Sequence, residues 1–361
     1  DIALPIGISF FTFQKMSYLI DIYRGTAKQA SSFFNYALYV ALFPQLIAGP
    51  IIRYHDVANQ IDNRTHTSQQ FFYGIWRFCI GLGKKILIAN TLGMVVDSVF
   101  STPHIEITCI LSWFAIIAYA FQIYFDFSGY SDMAIGLGRM MGFHFLENFN
   151  RPYRSLSITE FWRRWHISLS NWMKEYLYIP LGGNQVGKIR SYANLWIVFL
   201  ISGLWHGASW NFVIWGGFHG FFLTVDKLFW LKKSKNITPV IKRSLTFIIV
   251  LFSWVLFRSE TLSDSLLYLK RMFDFSSTLQ FDIKGLYVFF SHRAFFVLFV
   301  ATFLSFVPFM DIKNKVAKEV FSLECHPMKL IFHYACALTI LLFSACSLAS
   351  SGYNPFIYFR F

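Results

Sequence analysis

His206 is the residue of this chain whose type and setting most plainly ask for a chemical role. It lies in Ile201-Ser202-Gly203-Leu204-Trp205-His206-Gly207-Ala208-Ser209-Trp210, inside an apolar stretch with no acidic neighbour in sequence. An ionisable side chain in such a place is costly and is by default a functional candidate. Imidazole titrates near neutrality, so it can take up and release a proton under ordinary conditions. His166, in Trp162-Arg163-Arg164-Trp165-His166-Ile167, is the second imidazole of interest; a core histidine donating to a carbonyl is the plain alternative for it. His219 follows His206 by 13 positions. On one continuous helix that is a turn of about 220°, so the two would not face one site, and His219 reads as structural. Asp126 and Asp132, in Asp126-Phe127-Ser128-Gly129-Tyr130-Ser131-Asp132, could orient an imidazole as a triad carboxylate does or fix a polar break between helices. There is no HExxH string, Cys/His cluster or GxSxG string in the chain, so metal ligation and a serine nucleophile are not indicated.

These residues have to be held by helices. Ser157-Ile158-Thr159-Glu160 fits a capping box, in which the hydroxyl and the carboxylate satisfy orphan amides at a helix start. A helix is expected to follow, closed by Ile179-Pro180-Leu181-Gly182-Gly183. On one wheel, at about 100° per residue, Trp162, Trp165, Leu169, Trp172, Met173 and Tyr176 form an apolar stripe, with Arg163, Arg164, Ser170, Asn171, Lys174 and Glu175 opposite. His166 falls at the edge of the stripe. That pattern predicts a helix lying at a membrane interface, within a region, 126–192, too polar to span and too aromatic for a free loop. Gly203 with Gly207 makes a small-xxx-small pair, which lets backbones approach closely or leaves room for a thin ligand.

The composition says what surrounds them. Of 361 residues, 55% are hydrophobic and 20% aromatic, and 14% are charged, against about 25% charged in a soluble domain. A soluble fold of this size could not hide that much apolar surface, so the chain is read as all-α and polytopic in a membrane. Apolar segments at 33–49, 71–92, 105–125, 193–205, 208–231, 244–257, 294–310 and 330–350 predict seven to nine spanning helices at about 20 residues each. The net charge of +13 is what basic cytoplasmic loops give, and no basic stripe with interleaved aromatics points to nucleic acid. The connection from Lys227 to Arg243, with Lys232, Lys233, Lys235 and Lys242, is expected on the cytoplasmic side. Cys79, Cys109, Cys325, Cys336 and Cys346 show no CxxC spacing and read as small apolar fillers. The chain starts at Asp1, and the expectation is a single membrane domain over 1–361 whose first helices are missing.

Four strings then come together: LFPQLIAGPIIRY at 42–54, FDFSGYSDMAIGLGRMMGF at 125–143, NFNRPYRSLSITEFWRRWHISLSNWMKEYLYIPLGGN at 148–184 and GLWHGASWNFVIWGGFHG at 203–220. In this order they resemble the membrane-bound O-acyltransferases (MBOAT), in the bacterial branch of the alginate O-acetyltransferases and the teichoic acid D-alanyl transfer protein. The terminal PFIYFRF is similar to the family's end. The resemblance implies a ring of transmembrane helices around a thin centre crossed by a narrow tunnel. It implies that His206, in the WHG string, is catalytic, and that His166 occupies a position carrying a second polar residue of the active site.

Transfer of an acyl group from a thioester to a hydroxyl fits these residues. His206 would be the base, and His166 would donate a hydrogen bond to the carbonyl or oxyanion. Asp126, Asp132, Asn171, Gly203 and Gly207 would support the site, the glycines by keeping a tunnel open. Arg163, Arg164 and Lys174 could meet the phosphates of coenzyme A or an acidic carrier protein, with snorkelling to lipid headgroups as the alternative. The expected protein has no permanently bound cofactor and no metal. It takes acetyl-CoA or an acyl carrier protein as donor on the cytoplasmic side of a bacterial inner membrane, and works with an extracytoplasmic acyltransferase on alginate-type polymers or peptidoglycan. The rival is a proton-coupled lipid or glycan transporter, which should show paired repeats; none is seen.

Overall fold

The computed structural model describes residues 7–46, 49–278, 283–306, 327–350 and 352–353, and among them it is helical with no β-strand. Helix α1 is Ile8–Tyr23, α2 Phe33–Ala41 and α3 Tyr54–Asp62. Helix α4 (Ser68–Gly83) runs through a π-helical turn, Lys84–Ala89, into α5 (Asn90–Phe100). Helix α6 (Cys109–Met140) lies along both. After an irregular stretch come two short helices, α7 (Ile158–Arg164) and α8 (Ile167–Met173). The longer α9 (Lys188–His206) and α10 (Trp210–Val225) follow. The remainder is α11 (Pro239–Arg258), α12 (Leu262–Met272), α13 (Ile283–Phe289), α14 (His292–Phe306) and α15 (Pro327–Ser350).

Among the described residues four helices are long and apolar enough to cross a membrane: Ser68–Phe100, Cys109–Met140, Pro239–Arg258 and Ile331–Ser350. That is fewer than the seven to nine expected. In the segment 33–49 the described residues form no helix long enough to cross, because α2 stops at Ala41 and Pro44 enters a 3-10 turn, Phe43–Gln45. The two segments between 193 and 231 are a hairpin of helices with 19 and 16 residues, the first opened by Lys188 and Arg190. Cys325 and the PFIYFRF string lie outside the described residues.

Helices α4 and α6 touch at their backbones. A Cβ on Gly81 would sit 2.5 Å from the Gly129 carbonyl, and one on Gly74 2.6 Å from that of Gly136. Both contacts are reciprocated. Lipid offers no hydrophobic drive between helices, so such close van der Waals approach is what holds them.

This contact also explains why α6 outruns its expected end. The polar region was placed from 126, yet α6 continues to Met140 because its acids are neutralised sideways. Asp126 meets Lys85 at 2.8 Å, and Asp132 accepts Arg77 and Lys84, each at 2.6 Å. Glu147 takes the far side of Arg77 at 2.6 Å.

The amphipathic helix expected after Ser157 is broken in two. Trp165 is extended (φ −103°, ψ 129°), and His166 adopts the left-handed conformation (φ 43°, ψ 54°) before α8 begins. The single wheel therefore does not hold. Trp162, Trp165, Leu169, Trp172, Met173 and Tyr176 are all buried, but they face protein: Trp172 stacks on Phe13 at 4.0 Å, and Trp162 meets Trp215 at 5.7 Å. At the start of α7 only half of the capping box forms as expected. Ser157 Oγ accepts the Glu160 amide, while Glu160 Oε2 takes the Leu156 amide and Asp226 takes that of Thr159.

Candidate active site

His166 owes its position to a residue that the sequence did not single out. Asn148 Oδ1 accepts from the Ser168 amide at 3.2 Å, from Ser168 Oγ at 2.9 Å and from His166 Nδ1 at 3.2 Å. The Asn148 carbonyl accepts the Ile167 amide at 2.9 Å. A buried asparagine thus takes the orphan amides at the start of α8. It also over-determines a left-handed, non-glycine residue whose backbone costs about 1–3 kcal/mol. Because Ser168 N–H must meet an acceptor, the Asn148 atom here is oxygen, and Nδ1 of His166 carries the proton. Neutral His166 then has its lone pair on Nε2. In this geometry the Nδ1–H of His166 is given to Asn148.

Asn148→Leu is expected to strand the three buried donors that Oδ1 receives, at about 1–3 kcal/mol each, lowering the melting temperature and the rate together. Asn148→Asp keeps the acceptor and stabilises the His166 imidazolium, so the neutral ring appears only at higher pH and the acid limb of the pH–rate profile moves up. A Leu variant with unchanged rate and melting temperature, or an Asp variant with an unmoved profile, would sink this account of His166.

His206 ends α9, immediately before extended Gly207. Its ring is half-exposed and walled by Trp205 at 4.8 Å, Trp215 at 5.2 Å and Phe257 at 5.2 Å. Among the described residues nothing hydrogen-bonds to it. A run of ring contacts, Trp165 to Trp254 at 5.0 Å, Trp254 to Phe257 at 5.6 Å and Phe257 to His206 at 5.2 Å, joins the residue beside His166 to His206 across 40 positions of sequence.

Other expected members are placed differently. Asp126 and Asp132 are held by the basic residues of the α4–π segment, and an asparagine, not a carboxylate, orients His166. Gly203 and Gly207 do not line an open passage: a Cβ on Gly203 would strike the Phe212 carbonyl, and one on Gly207 the Phe212 ring. They are contact points of the α9–α10 hairpin. Arg164 is committed to Glu160 at 2.7 Å, whereas Arg163 and Lys174 are exposed and Asn171 is half-buried on α8. His219 is nearer the site than a continuous helix allows, because the chain breaks between His206 and Trp210. Trp215 packs on both rings, 4.9 Å from His219. Among the described residues no group of three His, Cys, Asp or Glu side chains is placed to hold a metal ion.

An all-helical membrane protein with two imidazoles at helix breaks is the class that fold and site define. The chain belongs to the membrane-bound O-acyltransferase (MBOAT) family, whose sequence profile matches residues 7–261. It is 51% identical over 261 residues to the probable alginate O-acetylase AlgI of Pseudomonas syringae pv. tomato, covering 72% of this chain and 50% of that protein. It is 40% identical over 301 residues to the peptidoglycan O-acetyltransferase of Helicobacter pylori, covering 75% and 57%. With the teichoic acid D-alanyltransferase of Bacillus subtilis it shares 28% over 276 residues, covering 71% and 69%. The chain spans about half the length of the first of these relatives.

Proposed function

We propose that this chain carries the active site of an O-acyltransferase that passes acetyl groups from a thioester donor across a bacterial inner membrane for O-acetylation of an extracytoplasmic polysaccharide. The observation that carries the reading is His206: a half-buried imidazole at a helix break, without a hydrogen-bond partner among the described residues and walled by Trp205, Trp215 and Phe257. A base must have a lone pair to offer, and this ring is not spent on the fold. In the reaction His206 takes the proton of the attacking hydroxyl, and His166 Nε2 is an acceptor that orients that hydroxyl. The relatives' names, alginate O-acetylase and peptidoglycan O-acetyltransferase, support an acetyl group and a cell-surface glycan.

The donor is acetyl-CoA or an acyl carrier protein, docking on the cytoplasmic side near the exposed Arg163 and Lys174, with Arg164 beside them on its half-exposed pair with Glu160. An extracytoplasmic acyltransferase partner completes the transfer to polymer. The test is to supply membranes carrying the whole protein with acetyl-CoA labelled in its acetyl group and to follow the label. Its appearance in polymer, dependent on His206, is the expected result; uptake of glycan or lipid without covalent label would favour a transporter instead.

A further inference from the structure

Buried indole N–H groups find an acceptor as a rule, and in most of this protein they do. Trp113 donates to the Met272 carbonyl at 2.9 Å, Trp230 to that of Leu156 at 3.0 Å and Trp254 to the Tyr153 hydroxyl at 3.3 Å. The exceptions cluster. Trp205 Nε1 and Trp215 Nε1 are shut off from solvent and have no hydrogen-bond partner among the described residues, and the same holds for His219 Nε2.

The tautomer of His219 is fixed by its neighbour. Trp162 Nε1 donates into Nδ1 at 3.2 Å, so the proton of the neutral ring is on Nε2. All three orphan groups are therefore donors. Two belong to rings packed on His206, and the third to a ring packed on Trp215. Packing does not account for them, since phenylalanine or leucine would fill the same volume without stranding an N–H. A set of buried donors with no acceptor among them is the complement of a carbonyl oxygen that becomes negative.

We propose that Trp205 Nε1–H, Trp215 Nε1–H and His219 Nε2–H form the donor set that receives the thioester carbonyl oxygen, and the oxyanion derived from it, beside His206. The assignment rests on the acyl-transfer reading above. The hydroxyl oxygen bonds to the carbonyl carbon, the C=O pair moves onto oxygen, and His206 takes the hydroxyl proton. The C=O then re-forms, the C–S bond breaks, and the departing thiolate takes the proton back from His206, giving ester and free thiol. Donors fixed before the reaction stabilise the oxygen most when it is negative. The task falls to these rings because the His166 N–H is already engaged by Asn148.

The test is acetyl transfer by the whole protein in membranes, with kcat and KM for acetyl-CoA measured separately. Trp215→Phe and His219→Phe are expected to lower kcat by about 10²–10³-fold, with KM within threefold. His219→Gln, which restores an N–H at the Nε2 position, should recover at least tenfold over Phe. If Trp215→Phe fails to fold, benzothienylalanine at 215 keeps the ring and replaces only the N–H by sulfur, and the same loss in kcat is expected. Folded variants with kcat within threefold of an active wild type overturn the assignment alone. So does His219→Gln no better than Phe, since a packing role predicts lower melting temperature with kcat per folded molecule unchanged. A wild type that moves no acetyl overturns the acyl-transfer reading and this assignment with it.

Discussion

His206→Ala is expected to reduce acetyl transfer by about 10²–10⁴-fold, the usual worth of a positioned general base, while the protein accumulates in the membrane at the wild-type level. The second half follows from the surroundings of the ring. Among the described residues His206 makes no hydrogen bond, so truncating it strands no partner. Label transferred per unit of folded protein is the quantity to measure. Activity within threefold of wild type at equal expression removes His206 from the mechanism.

Asp132→Ala should act in the opposite way, on the fold before the chemistry. Asp132 is 3% exposed, and it receives Arg77, itself 2% exposed, together with Lys84. Deleting one partner of a buried ion pair costs about 3–5 kcal/mol, because the remaining charge stays desolvated. That is a large share of the 5–15 kcal/mol that folded domains have to spare. Glu147→Ala is the control: Glu147 also pairs with Arg77, but its side chain is 48% exposed, and exposed pairs contribute about 0–1 kcal/mol. Melting temperature in detergent and steady-state level in membranes should fall sharply for Asp132→Ala and little for Glu147→Ala. Equal behaviour of the two would show that burial does not set the strength of this network.

What could be read from the chain depended on how local the signal was. His206 stands out because a polar group in an apolar run is visible within ten residues, and four of the spanning helices announce themselves by length and hydropathy. The end of the short helical region at Gly182 and Gly183 was equally legible, both having positive φ (103° and 54°). The break at Trp165–His166 was not, since no glycine or proline marks it and Asn148 imposes it from 18 positions away. The same holds for the ion pairs: Lys84 and Lys85 look like faults in an apolar helix until Asp132 and Asp126 arrive from the next one. The separation of His219 from His206 was hidden for a related reason, since Trp215 packs on both rings. A wheel carries a phase through a chain only while the helix is continuous, and here it stops at Gly207.

The paired charges of α4 and α6 bear on how the chain enters the bilayer at all. Arg77, Lys84 and Lys85 on one helix face Asp126 and Asp132 on the next, with Glu147 just beyond it. Each charge alone, carried to the middle of a membrane, would cost about 2.5–3.5 kcal/mol on the scale set by the insertion machinery. Paired, they cancel. The two helices are consecutive, separated by a short connection after Phe100, and their reciprocal glycine contacts let them close on each other without any third element. Entry as a closed hairpin, rather than one helix at a time, is what this pairing favours, because each helix brings the countercharges that the other lacks.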